Sequence, residues 1–454
     1  MPTFQVGRCA MSQSDSILGV ALVGCGTVGS AVATMLTRDR NIVQARTGSQ
    51  IELRHIVDVD FARAKAAKLD SRLFRKDAGA AIADPQVGAV VELIGGTTVA
   101  RTVIERALAA GKCVVTANKA LLAQHGAELC ALARQHNVAL SFEASCAGGV
   151  PILRALCDGL IANRIDALYG IVNGTCNYIL TAMTQSGRSY AQALAEAQRA
   201  GLAEANPTLD VSGVDSAHKL AILAALAFGG KIDLDAIPVA GIDSLQPCDV
   251  AFGGELGYVV KLLAIAQRQD DGLSLRVRPA FISKEHPLAW VSGPFNAVSV
   301  YGHATGHTMY YGRGAGGMPT ASAVVADLAA VAMGTAQRSF ERLAVWPDRA
   351  PAAKQLPVEA VRSRYYLRVM AEDAPGVLAQ VAAILGRHRI SIRSVLQHEP
   401  LASSDGAGGV PVVITTHQAV EGNVQAALAE VDALGAIKAP SVCIGIVDEY
   451  PELL

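Results

Sequence analysis

Three glycines in a Gly24-x-Gly26-x-x-Gly29 pattern follow the continuous apolar run Ile17–Val23 and open a helical pattern from Gly29 to Leu36. The first glycine permits a tight turn, the second removes a Cβ that would collide with a pyrophosphate, and the third lets helix and strand close on each other. The start of the helix, with Thr27 and Val28, presents unpaired N–H groups and a positive partial charge to phosphates. In a chain with 43 glycines the pattern alone says little. The strand before it and the helix after it favour dinucleotide binding over an ordinary βα turn. Asp58 ends a second strand-like run, Ile51–Asp58, and suits a ribose 2′-OH. It lies further on than usual because residues 38–50 read as an insertion. Arg63 and Lys65, just behind it, suit a 2′-phosphate, so NAD and NADP both remain open.

A second group is built from lysines and acids. Asp215 and Lys219 are four apart, which puts them on one face of a helix, where the acid favours the charged form of the lysine. Lys119 opens a helical pattern after the short apolar strand Cys113–Thr116, at the carboxyl edge where open α/β sheets bind ligands. Thr97, after Gly95-Gly96 at another strand end, is placed for the cofactor. Each has a plainer reading when taken alone: a solvated surface ion pair, a helix-start lysine, loop acids at Glu204 and Asp210. His303 and His307 flank a glycine-rich segment and read as structural.

The elements that must position these groups alternate regularly up to about residue 150. Apolar strands at Val90–Ile94, Cys113–Thr116 and Val138–Phe142 are separated by Ala-rich helical stretches at Thr98–Ala110 and Lys119–His136. That alternation predicts crossover units on a parallel sheet, a Rossmann-type doubly wound α/β domain over 17–150. Beyond it the rhythm becomes α+β: helices over 152–161, 190–200 and 214–228, strands at 165–172, 273–282, 297–301 and 308–311. This predicts a second domain, 151–318, built on its own sheet, to which the family resemblance described below gives the roles of substrate binding and dimerisation. An Ala/Val helix near 319–335 is expected to return to the first domain. Prolines 347, 351 and 357 mark 336–362 as a linker. Residues 363–454 follow a β-α-β-β-α-β order, the ferredoxin-like pattern, with Ser403–Gly409 as a hairpin loop. Residues 1–16 are expected to be a disordered lead-in.

Composition excludes several function classes. With 39 basic and 40 acidic residues the formal charge is -1, which offers no field for nucleic acid. The longest central apolar run, Leu220–Phe228, is far short of the roughly 20 residues a bilayer span needs. Nine cysteines without a C-x-x-C pair suggest buried reduced thiols in a cytoplasmic protein.

Several segments taken together closely resemble homoserine dehydrogenase. They are VVTANKALLAQHG (114–126), FEASCAGGVPIL (142–153), NGTCNYIL (173–180), GLAEANPTLDVSGVDSAHKL (201–220) and YGRGAGGMPTASAVV (311–325), with the glycine loop. The resemblance runs in order over roughly 17–335. The tail, with Asp373-x-Pro375-Gly376-Val377-Leu378, resembles an ACT domain, a small amino-acid-sensing module. No aspartokinase-like segment precedes the glycine loop, so a monofunctional chain is expected.

The resemblance implies NAD(P)H-dependent reduction of L-aspartate 4-semialdehyde to L-homoserine. It implies Lys219 as proton donor, with Lys119 near both nicotinamide and substrate and Asp215 beside them. It assigns Glu204 to the substrate ammonium, and Asp210, Gly174 and Thr175 to further substrate contacts. Gly316 joins Gly24, Gly26, Thr27, Val28, Gly29, Asp58, Thr97 and Lys119 around the cofactor. The backbone carbonyls of Glu143, Cys146, Gly148 and Val150 are implied ligands of Na⁺ or K⁺, in keeping with hard oxygen donors and no carboxylate cluster. Threonine inhibition through the ACT module and a homo-oligomer, dimer or tetramer, are further implications. Three residues depart from the family pattern: Cys176 for the usual Thr, Cys146 for a common Val, and Asn206 for an acid. Cys176 implies either altered packing under the substrate or sensitivity to thiol oxidation. Two other readings compete: a non-catalytic amino-acid sensor on the same scaffold, and a dehydrogenase for another amino-acid aldehyde.

Overall fold

A computed structural model describes residues 17–269, 272–398 and 409–451. The expected lead-in and most of the expected 403–409 hairpin loop lie outside the described residues. The chain divides into two units.

The first unit takes the chain up to Asn118, with Leu129–Ala144 and Gly316–Leu343. Its sheet contains β1 (Ile17–Val23), β2 (Gln50–Val57), β3 (Phe74–Arg75), β4 (Ala89–Glu92), β5 (Cys113–Thr116) and β6 (Leu140–Ser141). The spatial order is β3-β2-β1-β4-β5-β6 and every pairing is parallel. This is the doubly wound order whose strand sequence reverses beside β1. Val20, Ala21 and Leu22 are fully buried, as a strand covered on both faces requires. The stretch that reads as an insertion contains a helix, Arg40–Thr47. The helix Gly317–Ala332 lies against the first helix of the unit: a Cβ added at Gly317 would stand 3.2 Å from the Thr27 carbonyl oxygen and 3.6 Å from Ala31 Cβ.

The second unit holds Lys119–Glu128, Ser145–Ala315 and the chain from Ala344. Its strands are β7 (Ile165–Ile171), β8 (Tyr258–Gln269), β9 (Gly272–Ser283), β10 (Phe295–Gly302), β11 (Gly306–Arg313), β12 (Arg362–Ala371), β13 (Ile392–Gln397), β14 (Val410–Thr416), β15 (Ala419–Val420) and β16 (Ile437–Val447). They form one mixed sheet in the order β11-β10-β7-β8-β9-β16-β12-β14-β13, with β15 on β12. Several elements differ from the sequence reading, among them the helices Gly174–Ser186 and Pro247–Glu255, which have no counterpart in it. β8 has no counterpart in it, because the apolar run KLLAIA fits a buried strand and a buried helix alike. Residues 335–342, within the stretch read as linker, are helical and belong to the first unit.

The ferredoxin-like strands join the second unit's sheet through β16, which pairs parallel with β9 over only three residues, Gly445–Val447 on Ala280–Ile282. Their own core comes from β12 and two amphipathic helices, with Val377, Val381 and Ile384 on one helix and Val424, Leu428 and Val431 on the other, at helical spacing. Buried ion pairs bridge the join. Arg368 donates to Asp249 at 2.6 and 3.1 Å, and the Tyr366 hydroxyl donates to Asp249 at 2.9 Å. Arg278 donates to both Glu421 oxygens at 2.8 and 2.9 Å, and Tyr365 donates to Glu421 at 3.0 Å. Asp249→Ala strands a buried guanidinium and should cost about 3–5 kcal/mol, read as a lower urea midpoint at unchanged m.

Candidate active site and cofactor loop

The three glycines of the first unit act differently. Gly24 has φ +97, and a Cβ there would lie 2.6 Å from the Leu93 carbonyl carbon. A Cβ on Gly29 would lie 2.1 Å from the Gly24 oxygen, so this contact needs a glycine. A Cβ on Gly26 would meet nothing within 4 Å, and Gly26 caps the helix Thr27–Arg38 with ordinary φ -72. The loop is therefore closed on the protein side at Gly24 and Gly29 and open at Gly26, the shape a pyrophosphate requires at a helix N-terminus.

Asp58 reaches this loop. Its Oδ2 accepts from the Cys25 N–H at 2.5 Å, and its Oδ1 accepts from Val59 and Asp60 at 2.7 and 3.1 Å. The carboxylate thus ties the end of β2 to the glycine loop. Burial, then Asp58, pushes the Cys25 thiol up to about 11. Gly316 precedes the helix that packs on Thr27. Thr97 is half-buried, and the neighbouring Gly96 carbonyl accepts from the Asn118 amide at 2.7 Å.

The lysines and acids gather in the second unit. The helix Val214–Phe228 is buried along most of its length and carries Asp215 and Lys219 on one face. Lys119 stands at the start of the helix Lys119–Gln135. Asp215 lies between the two ammonium groups: Oδ1 is 2.8 Å from Lys119 Nζ and Oδ2 is 2.8 Å from Lys219 Nζ. Lys219 also donates to the Val172 carbonyl at 2.6 Å. Asp215 and Lys219 are each 7% exposed, whereas the Lys119 side chain is 40% exposed.

Burial opposes the charge on Asp215, but Lys219 and Lys119 overcome it and hold the carboxyl well below its usual range. Burial likewise opposes the charge on Lys119, and Asp215, with help from Asp210, reverses this and raises its pKa. His218, next along the helix, is pushed down by burial against the pull of Asp215.

Asn173, which the sequence reading leaves without a role inside NGTCNYIL (173–180), organises the acids. Its amide donates to Asp210 Oδ1 at 2.8 Å and to Asp215 Oδ2 at 3.0 Å, while its oxygen accepts from the Cys176 N–H at 2.8 Å, capping the helix Gly174–Ser186. Thr175 donates to the Leu202 carbonyl at 2.8 Å and approaches Asp210 at 3.4 Å. Gly174 sits where a Cβ would lie 2.9 Å from the Pro294 oxygen. Glu204 is exposed on the loop between helices, and only its backbone oxygen is engaged, by Gln198.

Cys176 is fully buried with its thiol 3.2 Å from the Asp210 carbonyl, and burial drives its pKa up. Of the two readings of Cys176, burial favours packing: a buried, protonated sulfur is a packing group. His307 stacks on Tyr301 with centroids 4.5 Å apart and bonds Ser299 at 2.8 Å, as a structural histidine does. In the segment 143–150, Ala147 and Gly148 have φ +52 and +35, and the Val150 carbonyl accepts from Ile152 at 2.8 Å. Among the described residues no single helix is long and apolar enough to cross a membrane.

A dinucleotide loop at the reversal point of a parallel sheet, and a buried acid clamped by two lysines, define a nicotinamide-dependent oxidoreductase. Residues 24–143 match the model of the homoserine dehydrogenase NAD-binding domain, residues 151–329 that of homoserine dehydrogenase and residues 365–433 that of the ACT domain. The chain is 44% identical to the homoserine dehydrogenase of Pseudomonas aeruginosa over 94% of its length and 98% of the relative's, and 41% identical to that of Neisseria gonorrhoeae with the same coverage. A crystal structure of a homoserine dehydrogenase from Thiobacillus denitrificans superposes with TM-score 0.90 at 42% identity, covering 96% of this chain and 99% of that one. The chain belongs to the homoserine dehydrogenase family, NAD(P)-dependent oxidoreductases, and carries an ACT domain.

Two outcomes test the site. Gly26→Ala should leave the melting temperature near that of the parent and raise the cofactor KM about tenfold or more, whereas Gly24→Ala, strained at positive φ, should destabilise the fold itself. The depressed Asp215 carboxyl contributes stability above its unfolded pKa of about 3.9 and loses it as pH falls through the folded value. Asp215→Asn should therefore flatten the acid limb of the stability-versus-pH curve, measured by urea unfolding below about pH 5.

Proposed function

We propose that the chain reduces the aldehyde of L-aspartate 4-semialdehyde to L-homoserine, with Lys219 supplying the proton to the carbonyl oxygen. The bound nicotinamide supplies the hydride, NAD and NADP both remaining open. The observation that carries the reading is the Lys119–Asp215–Lys219 clamp. Asp215 pairs with both ammonium groups, at 2.8 Å each, and gathers them at one place, where negative charge growing on an oxygen would be met by two cations. Lys119, the more exposed of the two, orients the substrate. Lys219, anchored on the Val172 carbonyl, donates.

Asp210 and Thr175 hold the substrate's polar groups, and Glu204, exposed and free of side-chain partners among the described residues, takes its ammonium. The backbone carbonyls of Glu143, Cys146, Gly148 and Val150 hold a monovalent cation. The left-handed turn at Ala147–Gly148 and the all-oxygen, uncharged donor set support that choice. The protein works as a homo-oligomer inhibited by threonine through its ACT domain.

The test is NADPH oxidation with aspartate semialdehyde, run in parallel with NADH. Lys219→Ala should lower kcat by about 10²–10⁴, since it removes the proton donor, while far-UV circular dichroism stays native. A near-parent rate in that variant removes Lys219 from the chemistry. A parent chain inert toward the aldehyde returns the scaffold to amino-acid sensing alone.

A further inference from the structure

Just past β2, the first unit carries a carboxylate that is held in one position. Asp58 is half-buried; its Oδ2 accepts from the Cys25 N–H at 2.5 Å, and its Oδ1 accepts from the Val59 and Asp60 N–H groups at 2.7 and 3.1 Å. Bonds of this charge-assisted kind are strong, and three of them fix the group. An ionised carboxylate accepts and does not donate, and it offers about four lone-pair sites. The site left over is on Oδ2, the oxygen tied to the glycine loop.

The same corner has no donors to spare. Asp60 Oδ1 accepts from the Ala62 N–H at 2.9 Å, so the N–H groups of Cys25, Val59, Asp60 and Ala62 are all bonded to carboxylates. Basic side chains are close in sequence but not placed. Arg38 spends Nη2 on the Ala67 carbonyl at 3.1 Å, and Arg75 spends Nη1 on the Arg72 and Phe74 carbonyls at 2.8 Å each. Arg63 and Lys65 are exposed on the short helix Ala62–Ala66, and their side chains have no partner among the described residues. Nothing holds a cation at this corner as three N–H groups hold Asp58.

The two nicotinamide dinucleotides differ at the adenosine 2′ position, a hydroxyl in one and a phosphate with about two negative charges in the other. In a doubly wound sheet that position falls at the end of the second strand, where an acid bonds the hydroxyl or an arginine receives the phosphate. A hydroxyl there finds the free lone pair of Asp58 Oδ2. A phosphate finds two carboxylates and no free donor among those four N–H groups, and half-burial of Asp58 weakens the screening of that repulsion by water. For the phosphate to fit, Asp58 must give up its bond to Cys25, which ties β2 to the glycine loop. A gain at the 2′ position therefore loosens the loop that takes the pyrophosphate.

We propose that the chain selects NAD(H) over NADP(H), and that Asp58 sets the selectivity. The proposal rests on the reading above, that a nicotinamide dinucleotide supplies the hydride, and narrows it to one cofactor. Asp58 acts in two ways: it accepts the ribose hydroxyl, and it repels a phosphate in the same place.

The experiment measures binding to the full chain without aldehyde, from nicotinamide fluorescence, and then the rate with aspartate semialdehyde. NADH should bind about 10²-fold or more tighter than NADPH. On the parent chain, adenosine 5′-monophosphate should displace NADH about tenfold or more better than adenosine 2′,5′-bisphosphate does. Asp58→Ser should weaken NADH about tenfold and bring NADPH to within about tenfold of it. The nucleotide comparison needs no substitution, so it reports even where Asp58→Ser fails to fold. A preference for NADH below about tenfold, or any preference for NADPH, overturns the selectivity and leaves aldehyde reduction standing. An undiminished preference in folded Asp58→Ser overturns the role of Asp58. Selective NADH binding by a chain inert toward the aldehyde overturns the reaction and supports the selectivity.

Discussion

One buried carboxylate organises the second unit. Asp215 has lost most of its hydration, and a lone ion in that position would take up a proton instead. It stays ionised because two ammonium groups and the Asn173 amide surround it. Those contacts dictate much else. Val172 must follow β7 directly so that its carbonyl reaches Lys219, Asn173 must follow at once to bridge Asp215 and Asp210, and the next residues must start a helix that Asn173 caps. The motif beginning at Asn173 is short because one turn performs three tasks. The two buried ions close on each other, Lys219 against Asp215, while the partly exposed Lys119 and Asp210 stand at the cluster's edge.

What the sequence made legible is what local spacing encodes. The glycine loop is read from its flanking strand and helix, and Asp215 with Lys219 from their spacing of four. The parallel order of the first sheet follows from regular alternation. What escaped depends on partners distant in sequence. Asn173 shows no sign of its task until Asp210 and Asp215, 37 and 42 residues away, fold onto it. β8 escaped because a run of apolar residues has no period to read. Cys176 was ambiguous because a thiol beside a substrate loop and a thiol under it have the same neighbours in sequence. Only burial separates a reactive group from a packing one, and Cys176 is fully buried.

The join between the ACT strands and the catalytic sheet was illegible for the same reason, and its chemistry explains why it is built from charges. Three residue pairs of β16 on β9 fix little: a slip by one residue would lose few hydrogen bonds while turning each side chain to the opposite face. An apolar seam would tolerate such a slip, because hydrophobic contact is non-directional. Arg368 on Asp249 and Arg278 on Glu421 do not tolerate it. Each joins a strand or helix of the ACT module to one of the catalytic part, and each would leave a buried charge unpaired after a shift. Replacing such pairs with well-packed apolar residues often costs nothing in stability, so stability does not account for them. Their effect here is register. A two-fork contact such as Arg368 Nε and Nη2 with the two oxygens of Asp249 has one geometry, and holding it fixes β12, on which β16 pairs. The position of the ACT strands on the catalytic sheet is thereby specified to within one residue by ions that contribute little to the overall free energy.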